Sequence, residues 1–449
     1  MGRADRLDGS DLISWMASSV SGPATSGASP GDASVPGSTR AARRPPSVLF
    51  ISNGHGEDHE TSHVIRALWQ EAPDIQCAAL PIVGEGHAYR ALGMPILGPA
   101  ETLPSGGFTY VNRWRLLDDL RAGLVGQTLR QIGALRARAK EFDVVVGTGD
   151  WVTQSFARAS GRPYLCYIAS LSAMYEGTLK VGPILGGAFR SDRRLDILTR
   201  DKPTADDLTR QGFARVHFGG LPSLDWIRPT GLDLAIRPGH KVVALLPGSR
   251  LPEAERNLAV MLRFAAIATA AGGHPLAFRA ALVPALAARL PQVAANAGWT
   301  LDETVLTGPE GPNGRPRIHC PPDAYNDILL ACDIVIGMAG LAVDQAVAIG
   351  KPVLQIAGEG PQFNARFAEA QERLLGLSLR TIGPPPVTDD ALADGAALMQ
   401  ATFDDTAYLE ASAHNGRERL GTPGGAHRIA ARILAALGRL PEHAGDAAR

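Results

Sequence analysis

Residues 242–250 read Val-Val-Ala-Leu-Leu-Pro-Gly-Ser-Arg, an apolar run that ends in a glycine turn and a guanidinium. Residues 48–57 read Val-Leu-Phe-Ile-Ser-Asn-Gly-His-Gly-Glu and follow the same order near the start of the chain. Each segment predicts a buried strand that leads through a glycine turn into a helix. Such turns let backbone N–H groups approach a ligand closely, and the helix start attracts phosphate. The repetition predicts two α/β domains that face a central cleft.

The composition limits the classes of protein. With 449 residues, 45% of them hydrophobic, the chain can bury the cores of two domains. A formal net charge of -1 gives no broad positive field, so we expect no nucleic-acid partner. The four cysteines form no CxxC pair, which indicates neither a zinc knuckle nor a disulfide framework. No apolar run reaches about 18 residues. We therefore expect a cytoplasmic protein whose membrane contact, if any, is peripheral.

Strand and helix patterns alternate along most of the chain. Residues 1–46 are rich in Gly, Ser, Ala and Pro, which predicts a disordered leader. The alternation that follows predicts parallel, doubly wound sheets with right-handed crossovers. Pro229 and Gly231 interrupt it, so we place domains at 47–230 and 231–424, followed by a helix and tail at 425–449. The predicted strands are 48–52, 75–82, 143–147, 164–169, 241–246, 276–280, 317–320, 334–337 and 352–355. The predicted helices lie near 59–70, 114–138, 151–159, 253–271, 283–296 and 425–438.

Arg250 stands where a strand delivers the chain to the carboxyl edge of its sheet, which is the usual ligand-binding edge of such folds. Its planar fork can hold two oxygens at once, and it stays charged at any working pH. We therefore expect Arg250 to bind a diphosphate. The alternative is a surface ion pair with Glu253.

A second strand, within residues 332–346, also empties into a turn of small residues and a helix. This places a second helix start near the same ligand. Asp344 and Gln345 fall in the first turns of that helix and can hydrogen-bond a ribose. The later loop 360–364 offers the two amides of Gln362 and Asn364 to sugar or phosphate oxygens.

The order of segments 245–250, 332–352 and 360–364 resembles the lipid-A-disaccharide synthase family, whose members are GT-B glycosyltransferases that use UDP-linked N-acetyl sugars. The resemblance runs from about Ser47 to Leu437 and is stronger in the second half. It implies a GT-B fold of two Rossmann-like domains, the first on the acceptor side and the second binding the nucleotide sugar. It also implies transfer of a hexose or N-acetylhexosamine from a UDP-sugar to a lipid-linked or amphiphilic acceptor, at the inner face of the membrane and without a metal.

The resemblance assigns roles to individual residues. The donor-site residues that it implies are Gly248, Ser249 and Arg250 at the diphosphate, Ala339, Gly340 and Leu341 beneath it, and Gln362 and Asn364 at the nucleotide sugar. Four positions depart from the family. Gln345 stands where members place a ribose-binding Glu, Ala339 and Leu341 replace Ser and Thr, and Leu221 replaces a His. These departures indicate a divergent relative with a shifted donor site.

Glycosyl transfer needs a base for the acceptor hydroxyl. Asp150 follows the apolar run 144–146 and is our first candidate, with His55 second and Glu57 and Asp58 as further acids of the first turn. The alternative role for Asp150 is to cap the helix that begins at residue 151. The first glycine turn, comprising Asn53, Gly54, Gly56 and Glu57, is expected to contact the acceptor or a phosphate.

Other functions compete with this interpretation. His59-Glu60-Thr61-Ser62-His63 matches the HExxH pattern of zinc metalloproteases, although no third ligand follows at a recognisable spacing. A UDP-N-acetylglucosamine 2-epimerase-like enzyme shares the expected fold, and a non-catalytic nucleotide-sugar-binding protein also fits. Residues 113–130 interleave Leu and Arg, which is typical of an interfacial membrane helix or of an ordinary amphipathic core helix.

Overall fold

The computed structural model describes residues 44–98, 124–358, 364–438 and 440. The predicted leader up to residue 43, the first part of the 114–138 helix, Gln362 and the tail after 440 lie outside the described residues. The other predictions can be compared with the structure element by element.

The first sheet has six parallel strands in the order β2-β1-β3-β4-β5-β6. Its central strands are buried on both faces, as continuous apolar runs such as 48–51 require. We call the part built on this sheet the N-lobe. Its strands are β1 Ser47–Ser52, β2 Gln76–Pro81, β3 Val144–Thr148, β4 Tyr164–Ile168, β5 Arg194–Thr199 and β6 Val216–Phe218.

The second sheet has eight strands in the order β14-β13-β12-β7-β8-β11-β10-β9, and we call the part built on it the C-lobe. Six of the strands are parallel, while β9 and β10 form an antiparallel hairpin at one edge. The parallel βαβ units expected from the sequence are present, and the hairpin at that edge was not predicted. The strands are β7 Lys241–Leu246, β8 Leu276–Ala280, β9 Thr300–Asp302, β10 Val305–Thr307, β11 Arg317–His319, β12 Ile334–Gly337, β13 Val353–Ile356 and β14 Leu379–Ile382.

Helices connect the strands and cover both sheets. In the N-lobe these are α1 His55–Glu71, α2 His87–Arg90, α3 Leu124–Arg138, α4 Trp151–Ala159, α5 Pro183–Phe189 and α6 Lys202–Arg210. In the C-lobe they are α7 Glu253–Ala271, α8 Pro284–Ala287, α9 Leu290–Asn296, α10 Tyr325–Ala331, α11 Leu341–Ala348, α12 Ala365–Leu375, α13 Asp389–Asp404 and α14 Thr406–Leu420. The helix expected at 283–296 is broken in two, because Pro291 has no N–H to continue the hydrogen-bond ladder.

The final helix, α15 Gly425–Gly438, returns to the N-lobe and packs on α1. Its apolar face, which includes Ile429 and Ile433, completes the core that contains Val48 and Phe50. The Asp225 carboxylate accepts hydrogen bonds from the N–H groups at its start, among them Ala426 at 2.8 Å. The described residues from Pro45 onward form one compact unit, and the domain boundaries expected at 46, 230 and 424 stay predictions.

A buried ion pair joins the two lobes. Arg200 follows β5, and its guanidinium donates to the Asp344 carboxylate on α11 at 2.8 Å. The two side chains are only 6% and 8% exposed. Burial alone would lower the pKa of Arg200, but Asp344, Tyr175 and Asp201 together more than offset this and raise that pKa, so the guanidinium stays charged.

In the described ranges, no helix is both long and apolar enough to cross a bilayer. Most of the basic, leucine-containing segment at 113–130 lies outside those ranges. Peripheral contact therefore stays a prediction.

Replacing Arg200 by Met should destabilise the protein by about 3–5 kcal/mol, because it leaves the Asp344 carboxylate buried without its partner. The double variant Arg200→Met/Asp344→Leu should recover most of that loss, which urea unfolding would measure. Lys202→Met, which breaks the exposed pair with Asp206, should change stability by no more than about 1 kcal/mol. An Arg200→Met variant as stable as the wild type would contradict a stabilising role for the Arg200–Asp344 pair.

Candidate functional site

A cavity of about 910 Å³ lies where the carboxyl ends of the two sheets face each other. Its volume is in the usual range for a small-molecule site. The N-lobe contributes the start of α1, and the C-lobe contributes the turn after β7, the turn after β12 and the start of α12. Among the predicted site residues, those that line the cavity are His55, Gly56, Glu57, Gly248, Ser249, Arg250, Ala339, Gly340, Leu341, Gln345 and Asn364.

The turn after β7 requires glycine at position 248. Gly248 has φ 95°, and a Cβ there would stand 3.1 Å from the Met338 carbonyl oxygen. Asn257 holds the two turns together, since its Nδ2 donates to the Pro247 carbonyl at 2.9 Å and to that of Met338 at 3.4 Å. The turns after β7 and β12 are therefore packed directly on each other, as binding of one ligand by both would need.

Arg250 faces the start of α1 across the cavity. Burial lowers its pKa, while the nearby carboxylates of Glu57 and Glu253 raise it. A guanidinium remains a cation through any such shift. Its charge also lowers the pKa of His55, after the larger effect of burial, so His55 is neutral at pH 7. The His55 ring stacks on His87, with ring centroids 6.4 Å apart.

Two helices begin at the cavity with a glycine in the capping position. Gly54 precedes α1 with φ 142°, and Gly340 precedes α11; neither can supply a side-chain cap. The first N–H groups of these helices are therefore available to a bound anion. Gln371 supports the second turn, because its Nε2 donates to the carbonyls of Ala339 and Gly340 at 3.2 and 3.4 Å.

The side chains of Asp344 and Gln345 point in different directions, because successive residues of α11 are rotated about the helix axis. The Asp344 carboxylate points to Arg200 and does not line the cavity. The structure therefore does not bring Asp344 to the cavity, where we expected it to contact a ribose. Gln345 lines the cavity, and its Oε1 accepts a hydrogen bond from the Tyr325 hydroxyl. Asn364 also lines the cavity, with its Oδ1 capping α12 through Phe367 N at 3.1 Å.

Two carboxylates stand at the N-lobe edge of the site. Glu57 lines the cavity, and burial raises its pKa to about 7, with a further upward effect from Asp150. Asp150 does not line the cavity. Its Oδ1 caps α4 by accepting from Val152 N at 2.9 Å and also accepts from Asn53 Nδ2 at 3.3 Å. The capping role considered for Asp150 is therefore present, and Asn53 acts on Asp150 rather than at the cavity wall.

Of the HExxH residues, His59 lines the cavity, while the His63 ring stacks on Trp226 with ring centroids 5.6 Å apart. The Nε2 atoms of His59 and His63 are 3.2 Å apart. The Glu60 carboxylate accepts two hydrogen bonds from Ser223, one from its backbone N at 3.0 Å and one from its Oγ at 2.6 Å. Within residues 44–98, 124–358 and 364–438, no group of three or more His, Cys, Asp or Glu side chains is arranged to hold a metal ion.

Several residues of the site were not predicted from the sequence. Asn257, Gln371 and Tyr325 position the turns or Gln345, and each lies within a helix rather than in a glycine turn. The one available signal was a polar residue on a mostly apolar helix face, which is too common to be specific. Glu253, Ala281 and Val283 also line the cavity.

Comparison with known proteins supports the fold and a family resemblance. No family model matches the chain. It is 30% identical over 244 residues to a lipid-A-disaccharide synthase of Geobacter sulfurreducens, covering 50% of this chain and 58% of that protein. It is 30% identical over 207 residues to a lipid-A-disaccharide synthase of Syntrophus aciditrophicus, covering 44% and 48%. The chain thus spans about half the length of the curated relatives it matches.

Solved structures extend the comparison to nearly the whole chain. The calicheamicin glycosyltransferase CalG4 superposes with a TM-score of 0.60 at 16% identity, covering 89% of this chain and 100% of that one. The glycosyltransferase of kitacinnamycin gives 0.55 at 18% identity, covering 88% and 100%. A putative UDP-N-acetylglucosamine 2-epimerase from Listeria monocytogenes gives 0.50 at 16% identity, covering 88% and 96%. The chain therefore has the GT-B fold predicted from its sequence, and over about half its length it is similar to lipid-A-disaccharide synthases.

Proposed function

We propose that this chain is a glycosyltransferase that moves a hexose or N-acetylhexosamine from a UDP-sugar to a lipid-linked or amphiphilic acceptor. The observation that carries the proposal is the cavity of about 910 Å³, which brings Arg250 and the uncapped start of α11 to the uncapped start of α1, where Glu57 lies. The similarity to lipid-A-disaccharide synthases and the GT-B fold support the same class of reaction.

In this proposal the donor diphosphate lies between Arg250 and the start of α11. Arg250 and the N–H groups after Gly340 stabilise the charge that develops on UDP as the bond from the anomeric carbon to the diphosphate oxygen breaks. Gln345, rather than Asp344, bonds the ribose, because it is the one of the two that lines the cavity. Asn364 lies beside the nucleotide sugar. These groups supply the positive charge and dipoles, so we propose that no metal is required.

Glu57 is the base in this mechanism. It accepts the proton of the acceptor hydroxyl while the acceptor oxygen attacks the anomeric carbon. We prefer Glu57 to Asp150 because it lines the cavity and because a pKa of about 7 suits proton transfer at neutral pH. Asp150 is then a positioning residue that fixes α4 and raises the pKa of Glu57. His55 remains the second candidate for the base.

Arg250→Ala should weaken UDP binding at least tenfold, because the neutral side chain no longer holds the diphosphate. Calorimetry would measure the dissociation constant, and Arg256→Ala, an exposed arginine on α7, is the matched control that should leave it unchanged. UDP should also raise the unfolding temperature more than ADP or GDP does. Equal UDP affinity in the wild type and Arg250→Ala would contradict the donor site.

The rate of transfer should rise with pH through about 7, because Glu57 must lose its proton to act as the base. Glu57→Gln should lower turnover by about 10²–10⁴-fold and leave UDP bound at least as tightly. Asp150→Asn removes a negative charge that raises the pKa of Glu57, so the acid limb of the pH profile should move to lower pH. Loss of turnover in Asp150→Asn without such a shift would make Asp150 the base instead.

Products formed in the presence of EDTA should contain the donor sugar joined to the acceptor, together with free UDP. Mass spectrometry would detect the conjugate, and a parallel reaction with added Mg²⁺ should proceed at the same rate within about twofold. An isomerised nucleotide sugar would indicate the epimerase alternative. UDP-sugar binding without any product would indicate a non-catalytic binding protein.

A further inference from the structure

A second cavity, of about 500 Å³, opens on the N-lobe. It lies between the start of α4, the loop that follows β4 and the start of α5. Its volume is within the range of small-molecule sites, which is about 300–1,000 Å³. None of the residues assigned above to donor binding or catalysis lines it.

The wall of this second cavity is mostly carbon. Trp151 and Leu171 are partly exposed there, and Ile184 is 56% exposed. An indole and two aliphatic side chains left open to solvent in one concave surface are characteristic of a binding site for an apolar group.

Several polar side chains in the same wall are paired with other groups of the chain, although the Lys180–Glu176 pair is exposed. Ser172 Oγ accepts from Met174 N at 3.0 Å, Thr178 Oγ1 donates to Asp207 at 3.1 Å, and Lys180 pairs with Glu176. The cavity therefore presents aliphatic and aromatic surface rather than a set of hydrogen-bonding groups aimed at a sugar. This lining selects an alkyl or acyl group as the ligand class.

The second cavity adjoins the candidate catalytic edge. Trp151 directly follows Asp150, and Leu171 directly follows Ser170, whose hydroxyl faces the Glu57 carboxylate. Both segments come from neighbouring strands, since β3 and β4 pair in parallel. A molecule with its hydroxyl at Glu57 can therefore extend an attached chain past the loop at 170–171 into this cavity.

We propose that the cavity lined by Trp151, Leu171 and Ile184 binds the apolar chain of the acceptor. The inference rests on the proposed function and adds the place where acceptor specificity is set. It assigns the preference for an amphiphilic acceptor to the N-lobe wall, separate from the donor site of the C-lobe.

The test compares n-octyl β-glucoside, below its critical micelle concentration, with methyl β-glucoside as ligands of the UDP-loaded protein. Calorimetry should show that the octyl compound binds at least tenfold more tightly to the wild type, because its chain leaves water. Ile184→Glu should remove this difference while the affinity for UDP stays unchanged. Leu377→Glu, at a leucine 47% exposed on the C-lobe, is the matched control and should keep the wild-type preference.

A second variant tests the same cavity without introducing a charge. Ile184→Trp should fill part of the cavity and weaken octyl glucoside binding without affecting methyl glucoside. Equal binding of the two glucosides by the wild type, or an octyl preference that survives both Ile184 variants, would overturn the proposal while leaving the donor site intact. Failure to bind UDP would instead overturn the proposed function.

Discussion

The buried ion pair between Arg200 and Asp344 fixes how the two sheets face each other. Arg200 stands at the carboxyl edge of the N-lobe sheet, and Asp344 stands on α11, the helix whose first residues line the main cavity. Two charges removed from water tolerate little change in their separation, because each depends on the other for compensation. The position of the α11 N–H groups relative to Glu57, on the N-lobe, is consequently fixed by this pair.

The same pair explains why the sequence could not show which of Asp344 and Gln345 lines the cavity. Neighbouring residues on an α-helix point about 100° apart, so one can face the other lobe while the next faces the cavity. Which of them does so depends on Arg200, which lies 144 residues away in sequence. A local motif contains no information about such a distant partner.

Features set by the local chain were predicted well. The strand and turn at 242–250 follow from an apolar run and a glycine that must adopt positive φ beside the Met338 carbonyl. The helix at 151–159 matches its predicted bounds because Asp150 caps it. Features set by tertiary packing were not predicted. The three-residue strands β9 and β10 are too short to show a hydrophobic pattern. Nothing in the local sequence showed that Glu57 lines the cavity while Asp150 does not.

The return of α15 to the N-lobe has a consequence for how the protein is made. The core around Val48 and Phe50 is completed by Ile429 and Ile433, which are synthesised only after the strands of both sheets. A nascent chain that ends before residue 425 lacks the covering for one face of the first sheet. The first sheet therefore gains this covering only after the C-lobe has been synthesised, and until then one of its apolar faces is open to non-native contacts.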